Sequence, residues 1–555
     1  MATSSNSSPP SPINVHARLL SRPREDYATF DAPAGTLHSS VRHLVNTHAT
    51  EAAAISKMAW KVSVATLCRT FLPAITAAFL GHLGSTELAA SALANIWVSG
   101  LQTVIYGFSV SLCTLCGQAY GARNYELVGI WFQLGVVSLS LLSIPMCISF
   151  YHVDYILCYI SDDPRVLTLA TQFSRYSILS VWPQCFNCAL RQYLQAQEIV
   201  TPGTVVSSVS VVLCIGANYL FIYHWDLGFI GSPLAQLVAD VFQPVALFLY
   251  ACVYRKHHTE TWFGWTWACI RRDRVQRFLW LSFTMTLNVA MDEWIYSAVT
   301  AVAGYLGPLN LAANSVLYTL WNLVYSIYWG FGLPTQVRVA NFLGANSPRA
   351  AQHTMRVGFV LGGVAAFGSA GLFYACQRPI IAFFTPDDAL ADLIASNMLL
   401  FGLAVGLSGL HIVLASVLEA MSMAKTLLCI TASGSWGVMF PMSYFLGLSI
   451  GLGLSGLWLG SICGELAKFV LIVRALHKVN WRRAARKAMR ECGDDHINEE
   501  DAAMARLSIG TATPTLFSPV ISRRMNEADY DRSRSQSETE VDESDDASRP
   551  RAFSC

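Results

Sequence analysis

"GHLGSTELAASAL", residues 81–93, returns as "GYLGPLNLAANSV" at residues 304–316. The offset of 223 residues holds without a gap from 81–123 onto 304–346. It carries Gly107-Phe108 onto Gly330-Phe331 and Gly121-Ala122 onto Gly344-Ala345, with ten identities in 43 positions. Shared apolarity supplies scattered matches, but not several glycine-bearing clusters in one register. The chain therefore reads as two like halves, and a repeat of this kind fixes the architecture before any motif is weighed.

What the halves are made of follows from composition. Hydrophobic residues make up 53% of the 555 and charged residues only 13%, with a mean hydropathy of +0.41. Soluble domains carry about 25% charged residues, so this is a membrane chain. About twelve apolar segments are each close to the ~20 residues that cross ~30 Å of hydrocarbon as a helix. Lipid leaves unpaired backbone no partner, so segments of this length mean an α-helical bundle. The expected fold is an all-α integral membrane protein, with twelve transmembrane helices in two six-helix lobes. The divisions are 1–57, a disordered tail rich in Ser, Pro and Ala; 58–254, the first lobe; 255–277, a basic linker; 278–476, the second lobe; and 477–555, a largely disordered tail open to phosphorylation.

Charge in the loops sets orientation. One alternate set of loops holds Arg123, Arg191, "YRKHH", "RRDRVQR", Arg338, Arg349, Lys425 and "HKVNWRRAARKAMR". The other set is nearly free of basic residues, with Arg165 and Arg378 each beside acids. Positive-inside places both termini and the linker in the cytoplasm, in a plasma membrane or a vacuole-like organelle membrane. No apolar leader opens the chain, so no cleavable signal is expected. Of fifteen cysteines, Cys113/Cys116 and Cys185/Cys188 have CxxC spacing, but their apolar setting lacks a second ligand pair, so they read as packing residues. No nucleotide loop, metal cluster or nucleophile–base pairing stands out, so neither enzymatic activity, a cofactor, a metal nor a nucleic-acid partner is expected. Paired halves of this kind usually enclose a central site and alternate its access, which favours a carrier.

The same residues resemble the multidrug and toxic compound extrusion (MATE) family, especially its eukaryotic branch. Beside the two repeats, the matches are "CGQAYGARNYELVGIWFQ", "LRQYLQAQEIVTPG", "GFGLPTQVRVANFLGANSPRAAQ" and "GLSGLWLGSICGE" followed by "VNWRRAARKAMR", in order from about 60 to 490. The resemblance implies two lobes around a cavity and export of small organic solutes, often cationic. The driving force it implies is entry of H⁺, with Na⁺ possible. A flippase of amphiphilic lipids, and a receptor or scaffold that keeps the fold without transport, are the alternatives; a monomer in the bilayer is expected.

"LNVAMDEWIYSAV", residues 287–299, carries the chemistry. Two adjacent acids in a spanning segment cost about 2.5–3.5 kcal/mol each at the bilayer centre, so they need a reason. Neighbours on a helix point about 100° apart, so Asp292 shares a stripe with Thr284, Asn288 and Tyr296, while Glu293 faces with Ser297 and Thr300. Family members place a Glu two residues before a Trp and twelve before a helix-ending Gly, and counting from Trp294 and Gly304 lands on Asp292. A carboxyl in a low-dielectric cavity holds a proton more readily than one in water, and proton and cation then compete for it. Asp292 is the preferred exchange carboxylate and Glu293 its neighbour.

In the tenth helix the family's acid register falls on Ser408 and its Arg position on Glu419. His411, one turn beyond Ser408, is a candidate to take the missing acid's part in proton coupling. Asp240, with Gln236 and Gln243, is a second candidate cation site, in the first lobe. Glu465 and Lys468 at i,i+3 read as a mutually neutral structural pair. Arg69 has no assigned role, and no acid occurs between 58 and 80, where some prokaryotic relatives have an Asp. Trp97, Trp294, Trp321, Tyr325 and Trp329 are candidate aromatic walls for planar cations. Pro334, with Gly330 and Gly332, is a candidate hinge because proline removes a backbone donor.

Overall fold

The computed structural model describes residues 37–159 and 163–493, with backbone alone for 37–46 and Ala268. Readings on residues 1–36 and 494–555 lie outside the described residues. Twelve long helices follow in order: α1 Leu37–Leu83, α2 Ser85–Gly121, α3 Tyr125–Tyr151, α4 Pro164–Ala196, α5 Thr201–His224, α6 Gly228–Tyr254, α7 Arg272–Tyr305, α8 Pro308–Gly344, α9 Pro348–Ala375, α10 Asp388–Ala420, α11 over 424–449, and α12 Leu454–Lys478. Among the described residues there is no strand. Eight of the twelve are apolar enough along their length to cross a membrane. The four that fall short on composition are α4, α7, α8 and α11, and these give polar or aromatic groups to the interior clefts described below.

The packing repeats as the sequence does. In the first half α2 and α3 pack on α4, and α4 and α5 on α6; in the second, α8 and α9 pack on α10, and α10 and α11 on α12. Contacts between halves obey the same exchange, since α1 packs on α8 and α7 on α2. Four of the repeated glycines, Gly107, Gly121, Gly330 and Gly344, line this seam. A Cβ on Gly107 would lie 2.4 Å from the Cα of Thr286, and one on Gly330 would lie 1.8 Å from the Oγ of Ser63. Farther along, a Cβ on Gly121 would lie 1.9 Å from the Asn341 carbonyl oxygen, and one on Gly344 2.0 Å from that of Gln118. Residues 63 and 286, and 118 and 341, are themselves 223 apart. Only glycine lets these backbones approach, as small residues do between membrane helices.

The seam is closed at the end where the even-numbered helices finish, which carries the basic loops. There Thr114 Oγ1 donates to the Glu419 carbonyl (3.1 Å), Gln118 Nε2 to the Ala420 carbonyl (2.8 Å) and Gln336 Nε2 to Thr114 Oγ1 (3.1 Å). Arg338 of α8 pairs with Glu51 of α1 (2.7 Å) and with Glu198 beyond α4 (3.0 Å).

Two boundaries differ from expectation. The first helix starts at Leu37, not near 58, because 37–57 contains neither Gly nor Pro and is rich in alanine, a good helix former. Glu51 there is buried and also accepts from Thr354 Oγ1 at 2.7 Å. After α12, residues 481–493 are helical too, with Trp481, Ala485, Ala488 and Cys492 buried along one stripe.

Candidate functional site

Beyond the seam each lobe has a cleft, and in the first lobe a second cleft adjoins it at Pro73, Gln102 and Gln184. Tyr106 of α2 and Tyr325 of α8 line both the second-lobe cleft and the larger first-lobe cleft. Tyr106 packs against Trp329, its mate under the 223-residue offset, with ring centroids 5.4 Å apart and the rings tilted by 55°. Trp329 stands in a run of rings, Tyr296–Trp321–Tyr325–Trp329, spaced 4.7, 5.2 and 6.3 Å.

The second-lobe cleft has a cavity volume of ≈ 60 Å³. Asn288, Asp292 and Tyr296 line it as the four-residue stripe requires, and Glu293 also reaches it. Another 100° on, Trp294 lines neither cleft and is 55% exposed, so the helix turns it away from the cavity it was expected to wall. Trp321, Tyr325, Trp329 and His411 all line the cleft. Ser408 is buried and is not among the lining residues of either cleft. Trp97 packs against the first-lobe core and donates from Nε1 to Ser149 Oγ at 3.1 Å. Pro334 is buried within α8, which continues through it unbroken.

The two adjacent acids have different surroundings. Lys468 of α12, 0% exposed, places Nζ 2.9 Å from Asp292 Oδ1 and 2.7 Å from Glu465 Oε1. Ser435 Oγ donates to Asp292 Oδ1 at 3.2 Å, and Tyr296 Oη to Glu465 Oε1 at 3.2 Å. His411 Nδ1 lies 3.5 Å from Glu465 Oε2. Asp292 thus shares one buried ammonium with Glu465. Glu293 has no hydrogen bond or ion pair among the described residues, and it is exposed where it borders the cleft. Lys468 and Glu465 are not an isolated structural pair, as the i,i+3 reading had them; they join the site through Asp292 and Tyr296. Gly434 of α11 makes room for this, since a Cβ there would lie 2.2 Å from Lys468 Cγ. Glu419, read from sequence only as a departure, is buried on the cleft wall with Oε2 unpartnered. Its signal was an acid where the motif wants an arginine.

The first-lobe cleft has a cavity volume of ≈ 270 Å³ and is lined by Asp240, Gln236, Gln243, Arg69 and Arg191. Asp240 accepts from Gln184 Nε2 at 2.9 Å and from Gln236 Nε2 at 3.3 and 3.4 Å. No cluster of three or more His, Cys, Asp and Glu suited to a metal occurs among the described residues. Cys113, Cys116 and Cys185 are buried packing residues, Cys188 borders the first-lobe cleft, and all four are free thiols.

The sequence pattern of the MatE family matches residues 62–220 and 285–445, one stretch in each half. Multidrug and toxin extrusion protein 1 of Mus musculus is 30% identical over 441 residues, covering 79% of this chain and 77% of its own. The Homo sapiens protein of that name is 31% identical over 417 residues, covering 75% and 72%. Protein DETOXIFICATION 37 of Arabidopsis thaliana is 27% identical, covering 75% and 83%. The solved structure of the eukaryotic MATE transporter AtDTX14 shares the fold, with a TM-score of 0.75 at 23% identity over 80% of this chain and 99% of that one.

Proposed function

The chain belongs to the MatE family of multidrug and toxin extrusion transporters, and we propose that it exports organic cations in exchange for H⁺, with Glu293 as the exchange carboxylate. It is a multi-pass membrane transporter and not an enzyme. The observation that carries the proposal is the inequality of the two acids. Asp292 already has a cation in Lys468, whereas Glu293 offers an uncompensated carboxylate to the cleft beside the Trp321–Tyr325 wall. A planar cation seated on those rings gains both the quadrupole and the charge. A proton arriving at Glu293 removes the charge that holds it, which is the simplest coupling for exchange.

Alternating access follows if the lobes rock about the glycine seam, opening the basic end while the far end closes. By the positive-inside rule the basic end faces the cytoplasm, of a plasma membrane or a vacuole-like membrane. Residues of this one chain line both clefts, which supports transport by a single chain. Pro334 supplies a bending point in α8; unchanged transport by Pro334→Ala counts against that part.

The test is ethidium flux in proteoliposomes under an imposed pH gradient, repeated with a Na⁺ gradient at fixed pH. Gradient-driven flux is expected with H⁺ and to disappear in Glu293→Gln. Asp292→Asn leaves Lys468 paired with Glu465 and lowers flux less than Glu293→Gln does, whereas adding Lys468→Met strips the buried Glu465 of its cation and lowers flux further. Flux intact in Glu293→Gln refutes the assignment, and flux driven by Na⁺ alone replaces the coupling ion.

A further inference from the structure

The first-lobe cleft has the opposite polarity to the second. Arg69 of α1 and Arg191 of α4 both line it. Arg191 is 7% exposed and its Nε has no hydrogen-bond partner. Neither guanidinium takes part in a hydrogen bond or ion pair among the described residues. A buried arginine cannot shed its charge, because guanidinium stays protonated at any physiological pH. Buried charges in proteins are paired, yet the acid at hand pairs neither the buried Arg191 nor the half-buried Arg69. Asp240 accepts from Gln184 and Gln236 and makes no ion pair.

The internal repeat sharpens the contrast. Arg69 lies 223 residues before Asp292, so the two occupy equivalent places in α1 and α7. One lobe sets a cation where the other sets an anion. The second-lobe cleft holds Asp292, Glu293, Glu419 and the neighbouring Glu465 against Lys468. Tyr106 and Tyr325 belong to both clefts, so one solute lying across them meets arginines on one side and acids on the other.

We propose that Arg69 and Arg191 form an oxyanion subsite, and that the solutes this transporter takes carry a carboxylate or equivalent oxyanion beside their cationic or aromatic part. A guanidinium fork matches the two oxygens of a carboxylate, and such charge-assisted bonds exceed neutral ones in strength. The zwitterion form of the proposal rests on the cation reading of the second-lobe cleft; the oxyanion subsite does not.

A matched pair of fluorescent probes tests it: a rhodamine with a free carboxylate and its methyl ester, alike except that the ester lacks the oxyanion. Binding to the purified full-length protein in detergent is read by fluorescence anisotropy, apart from any flux measurement. The free carboxylate is expected to bind about tenfold more tightly than the ester. Arg69→Gln and Arg191→Gln bring that ratio toward one, and inorganic phosphate competes with the carboxylate more than with the ester. Because a glutamine variant can fail to fold, Arg69→Lys is measured beside it, with monodispersity checked by size exclusion; it retains a reduced preference. Equal affinity for the two probes in the wild type, or a ratio unmoved by both arginine substitutions, overturns the proposal. A retained carboxylate preference without gradient-driven flux sustains the subsite and overturns the exchange reading. Gradient-driven flux without the preference does the reverse.

Discussion

Gly121→Ala and Gly344→Ala put a methyl group into the closed seam at two equivalent places. The added Cβ would fall 1.9 Å from the Asn341 carbonyl oxygen in one case and 2.0 Å from that of Gln118 in the other, where ordinary contact begins at 3.4 Å. The obstacle is helix backbone, not the tip of a flexible side chain, so α2 and α8 must separate by about 1.5 Å to relieve it. Overpacking of this kind costs about 1–3 kcal/mol, and it falls only on the state in which the seam is shut. Each substitution should therefore shift the balance toward the seam-open state by about 5–150-fold. Nitroxide labels at Arg123 and Asn346, an equivalent pair just past the two glycines, report the separation in a cysteine-free background. The distance distribution should lengthen, and turnover in proteoliposomes should fall, in both variants alike. Gly100→Ala and Gly304→Ala, where a Cβ meets nothing within 4 Å, serve as controls and should change neither readout. Unaltered distances in Gly121→Ala, or a clear difference between it and Gly344→Ala, would refute the seam as a two-fold contact.

Arg338→Gln removes the partner of Glu51 and Glu198 across the same seam. The expected loss is at the lower end of about 3–5 kcal/mol, because Glu198 is 37% exposed; thermal unfolding in detergent and the same label pair read it. Gly434→Ala crowds Lys468, so its ammonium should leave Asp292, and flux should fall to the level of Asp292→Asn. Trp321→Ala should raise the KM for ethidium several-fold, whereas Trp294→Ala should leave it unchanged, since only the former borders a cleft.

How much of this was legible in the sequence depends on the range of the contact involved. The repeat at 81 and 304 carried the two-lobe plan, and four of its glycines, Gly107, Gly121, Gly330 and Gly344, proved to be contacts between halves, because close backbone approach demands glycine whatever its partner. The stripe through Asn288, Asp292 and Tyr296 was equally readable, being a property of one helix. Tertiary partnership was not. Lys468 was matched to Glu465 three residues away, yet its other partner is Asp292, 176 residues off. The preference for Asp292 over Glu293 as the exchange carboxylate was built on register alone, which says nothing of a lysine from α12 that Asp292 shares with Glu465. Arg69 stayed unassigned because Arg191, 122 residues later, gives it meaning only when both border one cleft. The helix over 37–57 was masked by a composition typical of tails, although its alanines favour a helix.

The exchange symmetry of the seam does not extend to the lining. Gly107 with Gly330 and Gly121 with Gly344 match across the repeat, while positions 69 and 292 carry opposite signs. A carrier built this way can be retuned to a new cargo by altering one lobe, leaving untouched the joint on which both lobes turn.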